Sequence, residues 1–141
     1  SAEELGQGEA IARNLLEFST LKVPFVTVIF GEGGSGGALA LACGDEVWML
    51  ENIIYSVLSP EGFASILWKD SRRSDEACEG MQLTAASLLK NDVIEGIIPE
   101  HHSHRQTIAE IAKVLDERLQ KLEKLTPEQL LSKRHSRFRK F

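Results

Sequence analysis

Apolar residues at helical spacing alternate along the chain with short, almost uninterrupted apolar runs. The first pattern predicts an amphipathic helix from Ala2 to about Phe18, with apolar residues at 11, 12, 15 and 18. After Pro24, the run 25–30 is apolar at five of its six positions and rich in β-branched and aromatic residues. A run of this kind predicts a parallel strand that is covered on both faces.

A dense cluster of glycines follows this predicted strand directly. Six of the eleven glycines lie between Gly31 and Gly44, most of them in the segment GEGGSGGA at 31–38. Because glycine loses more entropy on folding than any other residue, we expect such a cluster where φ must be positive or the backbone must touch something. A helix that begins near Gly36 would point its first, unpartnered amides outward. The pattern therefore predicts a backbone site for a phosphate or an oxyanion.

The rest of the chain continues the alternation of helices and strands, which indicates an α/β fold. The segment Ser59-Pro60-Glu61 predicts a helix start, and Thr126-Pro127-Glu128-Gln129 predicts a capping box before a final basic helix. The other predicted elements are a helix at 38–42, strands at 47–50 and 53–57, two short helices within 71–90, a strand at 93–98 and a long helix from about 104.

Composition narrows the classes of function that remain. A net charge of -5 and a pI near 5.4 argue against nucleic-acid binding. The two cysteines, Cys43 and Cys78, lack the spacing of a redox pair or a zinc site, so we expect reduced thiols and no metal. No apolar run is long enough for a membrane span and no signal-peptide pattern occurs at the start, so we expect a soluble, cytoplasmic protein.

Basic residues gather at the end of the sequence. We interpret them as a solvated helix end without chemistry of its own. They are Lys133, Arg134, His135, Arg137, Arg139 and Lys140.

The glycine segment also fits two motifs that use side chains. Gly31, Gly33 and Gly36 satisfy G-x-G-x-x-G, and Glu51 ends the next predicted strand, as a dinucleotide-binding module requires of its ribose-binding acid. Residues 33–37 also satisfy G-x-S-x-G, the nucleophile elbow of a hydrolase, with Ser35 as nucleophile. Its histidine would come from the polar cluster His101, His102 and His104.

A third interpretation uses only the backbone. Gly36, Gly37 and Ala38 at a helix start offer adjacent amides, and such amides stabilise the negative charge that develops on a thioester enolate or a ureido oxygen. For so long a glycine run we favour this interpretation over close packing of helix on strand.

Four separated segments resemble one family in the expected order. These are EELGQGEAIARN at 3–14, GEGGSGGALA at 31–40, YSVLSPEGFASILW at 55–68 and IIPE at 97–100. The chain is similar along its whole length to the carboxyltransferase alpha subunits of acetyl-CoA carboxylase, up to a basic tail like the family's own. This outweighs the single dinucleotide motif, which we keep as the alternative.

The resemblance implies a crotonase-like (ClpP/crotonase) fold of repeated strand-strand-helix units, here as a partial domain. It implies one domain portion over residues 1–141, in which 104–141 form a C-terminal helical extension. Members of this family have an upstream half that this chain lacks. We expect either that the chain corresponds to their C-terminal portion and is inactive alone, or that the other half is disordered, cleaved or supplied separately.

The resemblance also implies the chemistry, which is transfer of carboxylate from carboxybiotin to acetyl-CoA to give malonyl-CoA in fatty acid biosynthesis. Gly36 and Gly37 take the catalytic oxyanion-hole role, without a metal in this subunit. The implied substrate-binding residues are Gly33, Gly34, Ser35, Ala38 and Gly62. The implied partners are a carboxyltransferase beta subunit, in a heterotetramer of two alpha and two beta chains, a biotin carboxyl carrier protein that bears the biotin, and biotin carboxylase.

Overall fold

The computed structural model describes residues 4–140, so the first residues of the helix predicted from Ala2 lie outside the described range. The chain forms seven helices and five strands within that range. In order they are α1 (Gln7–Ser19), β1 (Val26–Ile29), β2 (Gly33–Gly34), α2 (Ser35–Leu41), β3 (Glu46–Leu50), β4 (Tyr55–Ser56), α3 (Pro60–Trp68), α4 (Ser74–Met81), α5 (Ala85–Lys90), β5 (Gly96–Ile98), α6 (His104–Leu122) and α7 (Pro127–Phe138), with a 3₁₀ turn at Ser71–Arg73.

The strands form two small parallel sheets. One sheet has the order β1-β3-β5, and the other pairs β2 with β4. The succession β1-β2-α2 and then β3-β4-α3 gives two strand-strand-helix units, each of which contributes one strand to each sheet. Trp48 lies at the centre of the larger sheet, opposite both Val28 and Gly96. Only glycine fits at 96, because a Cβ there would overlap the Trp48 indole.

Burial differs between the two predicted strands. Strand β3 is buried, with Val47 at 1% exposure and Met49 at 0%, and it anchors the core with Ala42, Tyr55, Ala85 and Ile94. Strand β1 is only half-buried, and Phe30 just after it is 73% exposed. The prediction that β1 is covered on both faces is therefore wrong for the described residues. Its apolar run resembles that of a central strand, but β1 is an edge strand with a neighbour on one side only.

The basic end of the chain is not a solvated helix end. Arg134 is 0% exposed and forms a two-pronged ion pair with Asp45, which precedes β3. Arg137 is 7% exposed and binds Glu95 through its Nε atom at 2.7 Å. The prediction of a solvated helix end is therefore wrong for Arg134 and Arg137, because both arginines lie on one face of α7 and form ion pairs with acidic residues of the protein. The exposed Arg139 and Lys140 remain consistent with it.

A second acidic residue at the start of β3 ties the long helix α6 to the sheet. Glu46 is 1% exposed and accepts two hydrogen bonds from Arg118, at 2.8 and 2.9 Å, and one from Lys133 at 3.3 Å. Burial on its own would raise the pKa of this carboxyl. The bonds from Arg118 and Trp48 and the two nearby cations together outweigh burial and lower its pKa to about 2. Glu46 is therefore ionised at neutral pH.

Between residues 4 and 140, no helix combines the length and the hydropathy that crossing a bilayer requires.

Candidate functional site

The glycine segment leaves the larger sheet as β2 rather than as a simple turn. Gly33 donates its amide to the Ile54 carbonyl at 3.0 Å and pairs with Tyr55. A Cβ at Gly33 would lie 3.0 Å from Cδ2 of Tyr55 and 3.1 Å from Cγ2 of Ile29. Glycine at 33 therefore permits close approach of β2 to the core.

Positive φ in this segment belongs to a serine. None of the glycines from 31 to 37 has a positive φ, whereas Ser35, the first residue of α2, has φ 61°. The sequence suggested two reasons for these glycines, a positive φ and a close approach of the backbone to another group. The structure shows the close approach at Gly33 and a positive φ at none of the glycines from 31 to 37. A left-handed serine at a helix start is a strained conformation, which proteins commonly keep where a site needs it.

The amides that follow Ser35 are unpartnered. No hydrogen bond is recorded for the backbone N–H of Gly36 or Gly37 within the described part of the chain. Both residues lie in the first turn of α2, where N–H groups have no intrahelical acceptor. A Cβ built on Gly37 would meet nothing within 4 Å, and one on Gly36 would meet only Ile11, at 3.8 Å. The loop thus offers donors beside open space.

An open cleft of about 640 Å³ lies against this loop. The start of α3 forms another part of its wall, where Ser59 caps the helix by accepting the Gly62 amide at 3.1 Å. Two carboxylates, Glu32 and Glu61, also line it. The remaining lining residues are Gly33, Gly34, Ser35, Ile54, Ser56, Val57, Leu58, Pro60 and Leu83. The cleft therefore has a negatively charged rim, and Gly36 and Gly37 follow its lining residues Gly33 to Ser35 in the chain without lining it themselves.

The structure brings most of the predicted site residues together. Gly33, Gly34 and Ser35 line the cleft, while Gly33, Gly34 and Ala38 also line a second hollow of about 370 Å³ beside β1. Gly62 lies behind the cleft wall with its amide committed to the Ser59 cap. The cleft residues Ser56 to Leu58 lie in β4 and the loop after it, within the segment 55–68 of the resemblance and partly in the strand predicted at 53–57, but no role in the site was predicted for them.

The two alternatives that need side chains lack their geometry. The Glu51 carboxylate accepts the Glu100 amide at 3.0 Å and so joins the ends of β3 and β5. Gly33 and Gly34, which a dinucleotide site would place in a turn, are paired with β4. No hydrogen bond links Ser35 to a histidine anywhere in residues 4–140, so no hydrolase triad is assembled there.

Comparison with known proteins decides between the remaining interpretations. The model of the acetyl co-enzyme A carboxylase carboxyltransferase-like family matches residues 1–141, the full length of the sequence. The chain belongs to this family. The resemblance drawn from the four motifs is confirmed, and the dinucleotide-binding alternative is wrong.

Curated relatives of this family share more than half of their aligned residues with the chain. The acetyl-coenzyme A carboxylase carboxyl transferase subunit alpha of Streptococcus thermophilus (strain ATCC BAA-491 / LMD-9) is 58% identical over 142 residues. That of Streptococcus pyogenes serotype M12 (strain MGAS2096) is 57% identical over 141 residues. Each alignment covers 99% of this chain and 55% of the relative, so the chain spans about half the length of these relatives.

Solved structures confirm the fold. A crystal structure of transcarboxylase 12S, with methylmalonyl-coenzyme A and methylmalonic acid bound, matches 77% of this chain and 22% of its own with a TM-score of 0.59 and 20% identity. A second, with hydrolysed methylmalonyl-coenzyme A bound, gives a TM-score of 0.54 at 19% identity over 75% of this chain and 23% of its own. The family member described here therefore has the predicted crotonase-like fold.

Proposed function

We propose that this chain forms part of a carboxyltransferase alpha subunit of acetyl-CoA carboxylase, which transfers carboxylate from carboxybiotin to acetyl-CoA and so gives malonyl-CoA. The observation that carries the proposal is the pair of unpartnered amides at Gly36 and Gly37, in the loop that directly follows the cleft-lining residues Gly33, Gly34 and Ser35. Membership of the carboxyltransferase family supports it.

The residues of the loop fit a planar, uncharged group with one electron-rich oxygen. When bound, carboxybiotin supplies the carboxylate, and negative charge develops on its ureido oxygen as that carboxylate leaves. The amides of Gly36 and Gly37 would donate to this oxygen as catalytic groups, and their fixed position in α2 means that they need not reorganise during the reaction. Removing one such donor typically slows an enzyme by about 10²–10³-fold.

The neighbouring residues shape the approach to these amides. Gly33, Gly34, Ser35 and Ala38 would form the substrate-binding wall, since glycine and alanine leave room for the ring. Gly62 would contribute through the turn that it forms with Ser59, because its own amide is already bonded.

The acidic rim supports the assignment of the biotin side of the reaction to this chain. Glu32 and Glu61 line the cleft, and two carboxylates disfavour the several phosphate charges of a coenzyme A or a dinucleotide more than the single charge of carboxybiotin. We therefore assign the acetyl-CoA thioester and its enolate to the beta subunit. This assignment needs no metal in the alpha subunit.

The proposed assembly follows from the proposed reaction. The beta subunit would complete the site in a heterotetramer of two alpha and two beta chains, and a biotin carboxyl carrier protein, charged by biotin carboxylase, would deliver the biotin. Fatty acid biosynthesis in the cytoplasm is the corresponding setting.

The test is malonyl-CoA decarboxylation in the presence of a free biotin analogue, measured on the longer alpha subunit that contains this chain together with a beta partner. We expect biotin-dependent turnover. Gly37→Val should reduce it at least about 100-fold, because the side chain would occupy the open space beside the amides. Ser35→Ala should retain most of the activity, since the serine hydroxyl takes no part in the proposed chemistry.

Gly80→Val is the matched control. Gly80 is also a helical glycine whose Cβ would meet nothing within 4 Å, but it lies in α4, away from the glycine loop. Its activity should equal that of the unmodified protein. Equal turnover in the Gly37 and Gly80 variants would remove the loop amides from the mechanism, and loss of activity in Ser35→Ala would favour a serine nucleophile.

A further inference from the structure

A third, mostly apolar cavity of about 340 Å³ lies between α2, β4 and α7. Its volume falls in the range of small-molecule sites in proteins. The apolar walls are formed by Leu39, Ala42, Val47, Val57, Met81, Leu83, Leu88, Val93 and Phe138. Three residues with polar side chains, Tyr55, Ser56 and Arg137, complete the lining. Nothing in the proposed carboxyl transfer uses this cavity.

Tyr55 presents an unsatisfied hydroxyl to this cavity. The residue is 8% exposed, yet no hydrogen bond is recorded for its hydroxyl within residues 4–140. None of the buried side-chain N and O atoms in the described residues lacks a partner, so this hydroxyl is accessible rather than fully buried, and it can take a partner from the cavity. Burial raises the pKa of Tyr55 above its usual value of 10, so the phenol stays protonated and can donate. Its ring lies directly behind the glycine loop, against Gly33.

Arg137 supplies a second donor to the same cavity. The side chain is held in place by Glu95, at 2.7 Å from Nε, and by the Val93 carbonyl, at 2.6 Å from Nη2. No hydrogen bond is recorded for its Nη1 atom in the described residues. The Arg137 guanidinium can only donate, and the Tyr55 hydroxyl can donate as well as accept, so a ligand with an acceptor head satisfies both groups, and the walls require an apolar body.

We propose that this cavity binds a medium-length alkyl carboxylate, with its head on Tyr55 and Arg137 and its chain against the apolar walls. At about 30 Å³ for each water-sized group, the cavity has room for about eleven non-hydrogen atoms, which an eight-carbon carboxylate nearly fills. Because Glu95 already neutralises Arg137, the head group gains hydrogen bonds more than net charge.

The test is a titration of the chain with octanoate, followed by the methyl NMR signals of Val47, Leu88 and Val93. We expect saturable shifts at these methyl groups, weaker binding of octanol, and no binding of octylamine, whose ammonium head lacks an acceptor. Tyr55→Phe should raise the dissociation constant roughly two- to tenfold, the value of one hydrogen bond, without harming the fold, because the hydroxyl has no protein partner.

The same substitution of valine by phenylalanine at two positions distinguishes the filling of the cavity from a general loss of stability. Val57→Phe adds bulk to the cavity wall, whereas Val23→Phe adds the same bulk at a position of similar exposure outside the lining, 57% against 53%. Octanoate binding should weaken at least about tenfold in the first variant and stay unchanged in the second. The proposal is overturned if octanoate does not shift these methyl groups, if it binds Tyr55→Phe as tightly as the unmodified chain, or if the two phenylalanine variants bind alike.

Discussion

Among residues 4–140, hydrogen-bond donors have no partner at the start of α2, whereas those of a buried arginine near the end of α7 are bonded to the protein. At α2 the amides of Gly36 and Gly37 have no partner and open space beside them. At α7 the guanidinium of Arg134 donates six hydrogen bonds, two to Asp45 and four to carbonyls after and within the end of α1. Donors that the fold has already used stabilise it, whereas donors that it leaves free beside a cleft are available to a ligand.

The largest effect on stability should come from removing the buried ion pair between Arg134 in α7 and Asp45. Arg134→Met leaves Asp45 buried and uncompensated, which should lower the free energy of unfolding by about 3–5 kcal/mol in urea denaturation. The control Arg139→Met, on an exposed residue of the same helix end, should change it by less than about 0.5 kcal/mol. Similar losses of unfolding free energy in both variants would mean that the contacts of Arg134 do not stabilise the fold specifically.

Acid should weaken the neighbouring anchor at Glu46. Because the folded pKa lies near 2, below the ordinary 4.5, this carboxylate stabilises the fold above pH 4.5, and that stabilisation is lost as the pH falls towards 2. In Glu46→Gln the stability deficit should therefore be largest at neutral pH, about 3 kcal/mol, and should shrink through this window. Urea midpoints at a series of pH values measure it. Glu79→Gln, at an exposed position, is the control variant.

A smaller effect is expected at the start of α3, which lies at the same cleft as the start of α2 but is capped by Ser59. Ser59→Ala removes the acceptor of the Gly62 amide and should lower the free energy of unfolding by about 1 kcal/mol. Ser132→Ala, on the exposed face of α7, should be close to neutral in the same denaturation experiment. If the two variants matched, capping would not distinguish α3 from α2.

The smallest effect on stability should come from the uncapped helix start itself. Gly37→Val should change the free energy of unfolding by no more than about 0.5 kcal/mol, because its side chain would meet nothing in this chain and valine is no worse than glycine in a helix. Thermal unfolding followed by circular dichroism checks this. A loss of several kcal/mol would assign the glycine a structural role instead.

The sequence predicted local features of the chain better than long-range ones. Features that depend on neighbours in the chain were predicted well. Ser59 caps α3 as expected, and Thr126 with Gln129 forms the predicted capping box. The glycine segment also lies at the end of a strand and the start of a helix, as its pattern indicated.

Features that depend on distant parts of the chain were not predicted. Arg134 binds a carboxylate 89 positions away, so its basic neighbours gave it the pattern of a solvated tail. The edge position of β1 was equally hidden, because it follows from sheet pairing rather than from local periodicity, and β4 is shorter than the strand predicted at 53–57. Ser35 took the positive φ that the glycines were expected to adopt.

The central claim concerns two backbone N–H groups, and their own NMR signals test it most directly. In a titration of the protein with biotin methyl ester, the amide protons of Gly36 and Gly37 should move downfield as they gain an acceptor, while that of Gly80 in α4 should stay in place. Shifts at Gly36 and Gly37 no larger than that at Gly80, at ligand concentrations that saturate other signals of the cleft, would contradict the account.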